Sequence, residues 1–191
     1  MKTLFINGCV SPESRTLKIA RHLINNYYEN IEEVDLSDIK IKPIDKESFL
    51  KRGKLLSENN LKDPSFDLLH QFKEAESIII AAPYYNFGLP SSIKAYLDDV
   101  LISGITFGYD EFGKTKSFSN VKEVILITSA GGSIYKDNAF EFIYDVFSVF
   151  FGVNEIKQFK AENLDILNSN PAEIINNVIE QIDQEYNKNS Y

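Results

Sequence analysis

The chain has 191 residues, of which 43% are hydrophobic and 25% charged, and this is the composition of an ordinary globular protein with a sizeable core. Its formal net charge of −8 excludes sequence-independent binding to nucleic acid, which needs a basic face. The single cysteine, the two histidines and the absence of a signal peptide or a long apolar run predict a cytoplasmic protein with no disulfide, no metal and no membrane contact.

Apolar segments and amphipathic segments alternate along the chain. The apolar segments predict strands over Thr3–Asn7, Glu33–Leu36, Ser77–Ala82, Glu123–Thr128 and Glu155–Phe159. The amphipathic segments predict helices over Ser14–Tyr27, Lys46–Glu58, Phe66–Ala75, Pro90–Leu101, Asn138–Phe151 and Pro171–Tyr186. This alternation predicts an α/β fold in one domain, residues 1–191, namely a flavodoxin-like three-layer sandwich around a five-stranded parallel sheet of order 2-1-3-4-5.

The loop after the first predicted strand has the features of an anion site. Ligands of an open parallel sheet bind beyond the carboxyl ends of its strands, and this loop leads there into a helix N-terminus. Ser14 and Thr16 offer hydroxyl groups and Arg15 offers a cation. The alternative is that Ser14 only caps the helix. The loop is neither a dinucleotide-binding glycine pattern nor a Walker loop.

The loop after the third predicted strand is rich in aromatic residues. Pro83 is followed by Tyr84, Tyr85, Asn86 and Phe87. Three rings at the end of a strand predict a flat heteroaromatic ligand, and the amide of Asn86 suits the polar edge of such a ligand. The alternative is that the rings cover the end of the sheet or a subunit interface.

The loop after the fourth predicted strand contains consecutive glycines, Gly131 and Gly132, preceded by Ser129 and Ala130. Glycines let a ligand approach the backbone closely. A plain tight turn is the alternative, and the position of this loop beside the other two is what favours a binding role.

A rival pattern lies in the first loop. Cys9, Arg15 and Thr16 have the C-x5-R-[ST] spacing of low-molecular-weight tyrosine phosphatases, in which the cysteine is the nucleophile and the arginine binds phosphate. Pro12 removes an N–H group that should face the phosphate, and Glu13 adds a negative charge there. We therefore expect Cys9 to be a small packing residue beside a bound phosphate.

Taken together, the three loops resemble one family. Ala82–Phe87, Gly104–Phe107 and Thr128–Gly132 match the patterns A-P-x-Y-N-F, G-[IV]-T-F and T-S-x-G-G of the FMN-dependent NADH:azoreductases and NAD(P)H:quinone oxidoreductases, and the similarity runs to about Glu162. The resemblance implies non-covalent FMN, NADH or NADPH as co-substrate, a small aromatic acceptor, and a homodimer.

The resemblance also implies roles for individual residues. We expect the cofactor to contact Cys9, Ser14, Arg15, Thr16, Pro83, Tyr84, Tyr85, Asn86, Phe87, Ser129, Ala130, Gly131 and Gly132. Asn86 and Tyr109 are the expected catalytic residues, the first beside the ring and the second beside the acceptor. Ala130 and Gly108 stand where azoreductases often carry arginine, so that the usual substrate preference need not hold.

The expected reaction is ping-pong. Reduced nicotinamide delivers a hydride to the flavin and leaves, and a quinone, azo or nitro compound then takes its place. The alternatives are a flavodoxin-type electron carrier and a phosphatase that uses Cys9 and Arg15. The long segment Ser37–Asp63, expected to cap the site or meet a partner subunit, favours an enzyme over a carrier.

Overall fold

The computed structural model of the chain describes residues 1–39 and 41–188. Its strands are β1 (Thr3–Asn7), β2 (Ile31–Asp35), β3 (Ser77–Ala81), β4 (Phe107–Tyr109), β5 (Thr115–Ser117), β6 (Glu123–Ser129) and β7 (Glu155–Ala161). Five of them form a parallel sheet of order β2-β1-β3-β6-β7, while β4 and β5 form a separate antiparallel hairpin. The sheet has the expected flavodoxin-like topology, but the hairpin was not predicted and changes the strand numbering.

The helices follow the predicted segments closely. They are α1 (Arg15–Tyr27), α2 (Lys46–Ser57), α3 (Asp67–Glu74), α4 (Ser91–Val100), α5 (Asn138–Asp145) and α6 (Pro171–Lys188). The predicted helix Asn138–Phe151 is interrupted, because α5 ends at Asp145 and the chain continues as the π-helical segment Val146–Phe150. Phe66 belongs to a short 3₁₀ turn, Pro64–Phe66, that precedes α3.

Helices cover both faces of the sheet. Leu4 and Ile6 point into a core formed with α3, α4 and α5, whereas Phe5 points to the opposite core, formed with α1 and α6. All three side chains are fully buried, which explains why the apolar run in β1 does not alternate with polar residues. The sequence pattern of β1 therefore reports the three-layer architecture correctly.

The strands that surround the switch in strand order end at the same level. Asn7 is in register with Ala81, and Ala81 is in register with Ile127 near the end of β6. The backbone N–H of Gly8 donates to the Ala81 carbonyl (2.8 Å), and that of Ala82 donates to the Ile127 carbonyl (2.9 Å). The three loops singled out from the sequence therefore begin side by side.

The segment Ser37–Asp63, in which Lys40 lies outside the described residues, is joined to α4. Its helix α2 begins with a capping box, in which the Asp45 side chain accepts from the Ser48 N–H (2.8 Å) and the Ser48 hydroxyl accepts from the Asp45 N–H (2.9 Å). Arg52 fixes α2 to α4 by an ion pair with Asp99 and a hydrogen bond to the Asp98 carbonyl (3.2 Å). Residues of α2 contribute nothing to the cavity described below.

Residues 1–39 and 41–188 lack both a membrane-spanning helix and a group of side chains suited to a metal ion. None of the helices there is long and apolar enough to span a bilayer. Nor do histidine, cysteine, aspartate and glutamate side chains in that part of the chain form a group of three or more suited to a metal ion.

Candidate functional site

The loops after β1, β3 and β6 surround one open cavity of about 450 Å³ at the carboxyl ends of the strands. It is lined by Val10, Ser11, Glu13, Ser14, Arg15, Thr16, Pro83, Tyr84, Tyr85, Ser129, Gly131 and Asp165. This volume falls in the range of small-molecule and cofactor sites. The convergence of the three loops agrees with the sequence-based expectation, whereas the contribution of Asp165, from the loop between β7 and α6, was not foreseen.

One end of the cavity is suited to an anion. Helix α1 begins there, and the first N–H groups of a helix have no partner within the helix and carry partial positive charge. The Ser14 hydroxyl caps the helix by accepting a long hydrogen bond from the Leu17 N–H (3.4 Å). A hydroxyl can accept one hydrogen bond and donate another, so that a capping role and a binding role of Ser14 are compatible.

Thr16 connects the anion end to the glycine turn. Its side chain is fully buried, and its Oγ1 lies 2.6 Å from the Oγ of Ser129, in a bond that either hydroxyl can donate. The bond joins the first turn of α1 to the last residue of β6. Thr16 therefore fixes the relative positions of two loops as well as lining the space between them.

Arg15 is held by Asp165. The Nη1 and Nη2 atoms of Arg15 lie 2.7 Å and 3.1 Å from the two carboxylate oxygens, and Nη1 also donates to the Leu164 carbonyl (3.4 Å). Hydrogen bonding and charge attraction in this pair raise the pKa of Arg15 and lower the pKa of Asp165. Arg15, expected from the sequence to face a phosphate, is thus engaged by an unforeseen carboxylate.

Gly131 makes room for that carboxylate. The Asp165 N–H donates to the Gly131 carbonyl (2.8 Å), and a Cβ added to Gly131 would clash with the Asp165 carboxylate oxygen and lie 3.1 Å from its Cγ. A Cβ on Gly132 would meet no atom within 4 Å. The missing side chain at Gly131 therefore leaves space for Asp165 to approach the backbone.

Pro83, Tyr84 and Tyr85 form the aromatic wall of the cavity. The Tyr84 N–H donates to the Ser129 carbonyl (2.9 Å), and the Tyr84 hydroxyl donates to the Lys136 carbonyl (2.6 Å). Burial and nearby carboxylates raise the pKa of Tyr84, so that its hydroxyl stays protonated as a donor at neutral pH. Tyr84 is thereby anchored at both ends, while Tyr85 is half exposed and available to a ligand.

Asn86 and Phe87 form a tight turn next to this wall. The N–H groups of Tyr85 and Gly88 each donate to the other residue's carbonyl (2.9 Å), and both central residues have positive φ, 49° at Asn86 and 67° at Phe87. Phenylalanine seldom adopts this conformation, which favours asparagine and glycine. Neither residue lines the cavity in this structure, although an exposed ring in a strained turn is typical of functional positions.

Cys9 lies beneath the cavity and does not line it. The thiol is buried, 3.9 Å from the Ala81 carbonyl, and burial raises its pKa. A nucleophilic cysteine needs the opposite, an accessible thiol with a lowered pKa. With Arg15 paired to Asp165 as well, the geometry argues against the phosphatase-like alternative and leaves Cys9 as a packing residue.

Three other expected site residues are also placed outside the cavity lining. Ala130 is buried, and its N–H donates to the Ala161 carbonyl (2.9 Å). Gly132 follows the glycine that faces Asp165. Tyr109 lies in β4 with its ring exposed and in edge contact with Phe107 (centroid distance 6.1 Å), so that it does not reach this cavity within the chain.

The absence of arginine at Gly108 has a local cause. A Cβ there would lie 2.7 Å from the ring of Phe118, which covers Gly108 in the hairpin of β4 and β5. Lys116 lies beside the same ring, with its Nζ 5.9 Å from the ring centroid. The hairpin therefore carries a cation, Lys116, beside the ring of Phe118 and none at position 108 itself.

Comparisons with known proteins were made for the whole chain. A family described as having a flavodoxin-like fold matches residues 1–186. The FMN-dependent NADH:quinone oxidoreductase of Coprothermobacter proteolyticus is 31% identical over 198 residues, which cover 96% of this chain and 96% of that protein. The enzyme of the same name from Clostridium beijerinckii is 31% identical over 194 residues, 94% of this chain and 95% of that protein.

Solved structures show the same fold at lower identity. The FMN-dependent NADH-azoreductase from Bacillus anthracis in complex with FMN superposes with a TM-score of 0.78, at 23% identity, covering 100% of this chain and 99% of that one. A second azoreductase structure from Bacillus anthracis gives a TM-score of 0.79, at 20% identity, covering 98% and 99%. These two structures support the architecture of the sheet and its loops.

Proposed function

Because the chain belongs to the family of flavodoxin-like fold and is 31% identical, over nearly its whole length, to two FMN-dependent NADH:quinone oxidoreductases, we propose that it is an FMN-dependent NAD(P)H oxidoreductase. It passes electrons to a quinone, azo or nitro acceptor, and residues 1–191 act as one FMN-binding domain. The observation that carries the proposal is the single cavity in which an anion end, an aromatic wall and a glycine turn meet. These features suit the phosphate, ring and ribityl parts of one FMN molecule.

The residues of the cavity fit FMN by their chemistry. The N-terminus of α1 holds the phosphate together with the side chains of Ser14, Arg15 and Thr16, and Ser11 adds a further hydroxyl. These groups are hydrogen-bond donors and a phosphate is an acceptor. The wall of Pro83, Tyr84 and Tyr85 holds the isoalloxazine. Fixed in position by their hydrogen bonds, Tyr84 and the first turn of α1 are organised before the cofactor binds.

Other members of the site complete the cofactor contacts. The residues Ser129, Ala130, Gly131 and Gly132 approach the ribityl and pyrimidine parts. Asn86 supplies its amide at the polar edge of the isoalloxazine, and the Phe87 ring, which is 64% exposed, lines the isoalloxazine beside it. The positive φ of both residues supports this assignment, since it turns the chain sharply beside the aromatic wall.

When bound, FMN supplies the redox chemistry, taking two electrons from NADH or NADPH and passing them to the acceptor. The protein positions the reactants. Nicotinamide and acceptor occupy the same open space in turn, which gives ping-pong kinetics. Backbone N–H groups near Asn86 and Gly131 would offer hydrogen bonds to negative charge on a bound ring. The chain needs no acid or base for the hydride transfer itself.

The active species is a homodimer in the cytoplasm. Exposed rings on neighbouring elements support the dimer: Tyr109 and Phe112 lie on the hairpin of β4 and β5, and Tyr144 lies on α5. The hairpin is joined to the segment that follows α5 by a hydrogen bond from the Thr115 hydroxyl to the Val149 carbonyl. Since Tyr109 does not reach the cavity of its own chain, it orients the acceptor in the site of the partner. A single, free and buried cysteine suits a reducing compartment.

Steady-state kinetics of the FMN-loaded protein test the proposal. NADH or NADPH oxidation is followed at 340 nm with and without 1,4-benzoquinone. The quinone is expected to accelerate oxidation many-fold and to give parallel double-reciprocal lines when both substrates are varied. Oxidation that does not respond to quinone, by a protein that binds FMN, would point to an electron carrier instead.

A further inference from the structure

Asp165 is an unusual residue to find at the anion end of a cavity. Its carboxylate faces the beginning of α1 and accepts hydrogen bonds from both terminal nitrogens of Arg15, the cation of the first loop. A permanent negative charge at this place opposes the binding of any other anion. The proposed function, on which the following inference rests, requires the phosphate of FMN to bind in this region.

The backbone holds Asp165 in position by contacts that do not involve its charge. The Asp165 N–H donates to the Gly131 carbonyl (2.8 Å), and the neighbouring Leu164 N–H donates to the Ala130 carbonyl (3.2 Å). These bonds tie the loop between β7 and α6 to the glycine turn after β6. The loop therefore keeps its path when the side chain of Asp165 changes its partner.

The ion pair itself is open to water. The Arg15 side chain is 37% exposed and the Asp165 side chain 63% exposed. Exposed ion pairs contribute little to stability, because solvent screens them and both side chains lose freedom on pairing. Arginine has five N–H donors in a planar fork and binds carboxylates and phosphates in the same bidentate manner. A phosphate dianion can thus replace the carboxylate on Arg15 at small cost.

The geometry points to an exchange: Asp165 pairs with the Arg15 guanidinium, and the phosphate of FMN competes with that carboxylate and displaces it. Asp165 thereby acts as a specificity-determining residue that competes with the ligand phosphate. It lowers the affinity for weakly charged ligands that would otherwise be drawn to Arg15, and it leaves the cation to a doubly charged phosphate.

The exchange predicts how single substitutions change flavin binding. Asp165→Asn removes the competing charge and is expected to tighten FMN binding on the order of tenfold, the effect of one unit charge near a dianion at short range in water. It leaves the affinity for riboflavin, which has no phosphate, unchanged. Arg15→Gln weakens FMN binding and likewise leaves riboflavin binding as it was.

Fluorescence titration of the apoprotein with FMN and with riboflavin tests the inference. The control is Glu180→Gln, which removes the same charge from an exposed position on α6 and is expected to change neither affinity. Thermal unfolding of each apoprotein verifies that the variants fold, and Asp165→Ser repeats the test with a second side chain.

Three results would overturn the exchange. If Asp165→Asn leaves FMN affinity unchanged, Asp165 does not compete with the phosphate. If Arg15→Gln and Asp165→Asn weaken FMN and riboflavin binding equally, the pair only supports the loop. If wild type and all variants bind neither flavin, the proposed function fails together with the exchange, a pattern distinct from the first two.

Discussion

The hydroxyl of Thr16 lies 2.6 Å from the hydroxyl of Ser129, and both groups are buried. Thr16 belongs to the first turn of α1, and Ser129 is the last residue of β6, 113 positions later in the chain. One hydrogen bond thus fixes the distance between the anion end of the cavity and the glycine turn. Both residues also line the cavity, so that this pair contributes to its wall as well as to its spacing.

Removing one hydroxyl of this pair should destabilise the fold. Thr16→Val keeps the shape of the side chain but leaves the Ser129 hydroxyl buried without its partner, and we expect a loss of about 1–3 kcal/mol in the free energy of unfolding by urea. Thr16→Ser, which keeps the hydroxyl, is the matched control. Adding Ser129→Ala to Thr16→Val should restore part of the loss, and strictly additive losses would show that the two hydroxyls do not act as a pair.

The two adjacent glycines should differ in their tolerance of a methyl group. Gly131→Ala places a Cβ against Asp165, so we expect a loss of about 1 kcal/mol in unfolding free energy and a shift of the loop between β7 and α6. Gly132→Ala meets nothing within 4 Å and should stay within about 0.5 kcal/mol of wild type. Equal effects at the two positions would mean that Asp165 does not pack on Gly131.

The strained turn of Asn86 and Phe87 should lower the stability of the fold while supporting activity. Phe87→Gly relieves a positive φ at an exposed ring, and we expect it to raise the free energy of unfolding by about 1 kcal/mol while lowering kcat/KM for the quinone. Asn86→Gly keeps the turn but removes the amide, and it should weaken FMN binding by about tenfold. Alanine is a poorer choice at Asn86, because its own strain at φ 49° would be added to the effect.

FMN affinity and urea unfolding, measured for Asn86→Gly and Phe87→Gly, test these two expectations. FMN binding that is unaffected by Asn86→Gly would place the ring elsewhere in the cavity. Unaltered quinone kinetics in Phe87→Gly, whatever the change in stability, would show that Phe87 does not contribute to the active site.

The Cys9 thiol should be unreactive toward thiol reagents in the folded protein. Burial raises the thiol pKa above its ordinary value of 9.0, so the folded chain keeps the proton where the unfolded chain loses it. The contribution of the buried, protonated Cys9 thiol to folding stability is therefore fully present below pH 9.0 and declines as the pH rises above that value. At pH 8 we expect a thiol-reactive disulfide reagent to label Cys9 only after unfolding in urea.

A cysteine placed at the neighbouring position calibrates that experiment. Val10 is 70% exposed, and Val10→Cys in a Cys9→Ala background should react at the rate of a free thiol. Rapid labelling of native Cys9, or loss of flavin binding after labelling, would show that the thiol is accessible and would reopen a chemical role for it.

The sequence predicted the sheet well because its signals are local. Unbroken apolar runs such as Leu4 to Ile6 mark strands covered on both sides, and Ser14 marks the start of α1 within one residue. The three loops follow from the strands, since parallel strands place their carboxyl ends at one edge. Predicting the location of the cavity needed no knowledge of side-chain packing.

Features set by distant contacts could not be predicted in the same way. Arg15 and Asp165 are 150 residues apart, and nothing near Asp165 marks it as a partner of the first loop. The strands Phe107–Tyr109 and Thr115–Ser117 are only three residues each, and they are defined by pairing with each other and by the ring of Phe118 over Gly108. Phe87 in a tight turn contradicts the preference of its residue type, so no turn pattern identified it.

FMN binding can be measured directly by titrating the apoprotein with FMN and following the visible absorption and the fluorescence of the flavin. We expect saturation at one FMN per chain, with a shifted absorption band and quenched fluorescence, and weaker binding by Asn86→Gly than by wild type. A titration in which the spectrum of FMN stays that of the free cofactor at every protein concentration would contradict this expectation.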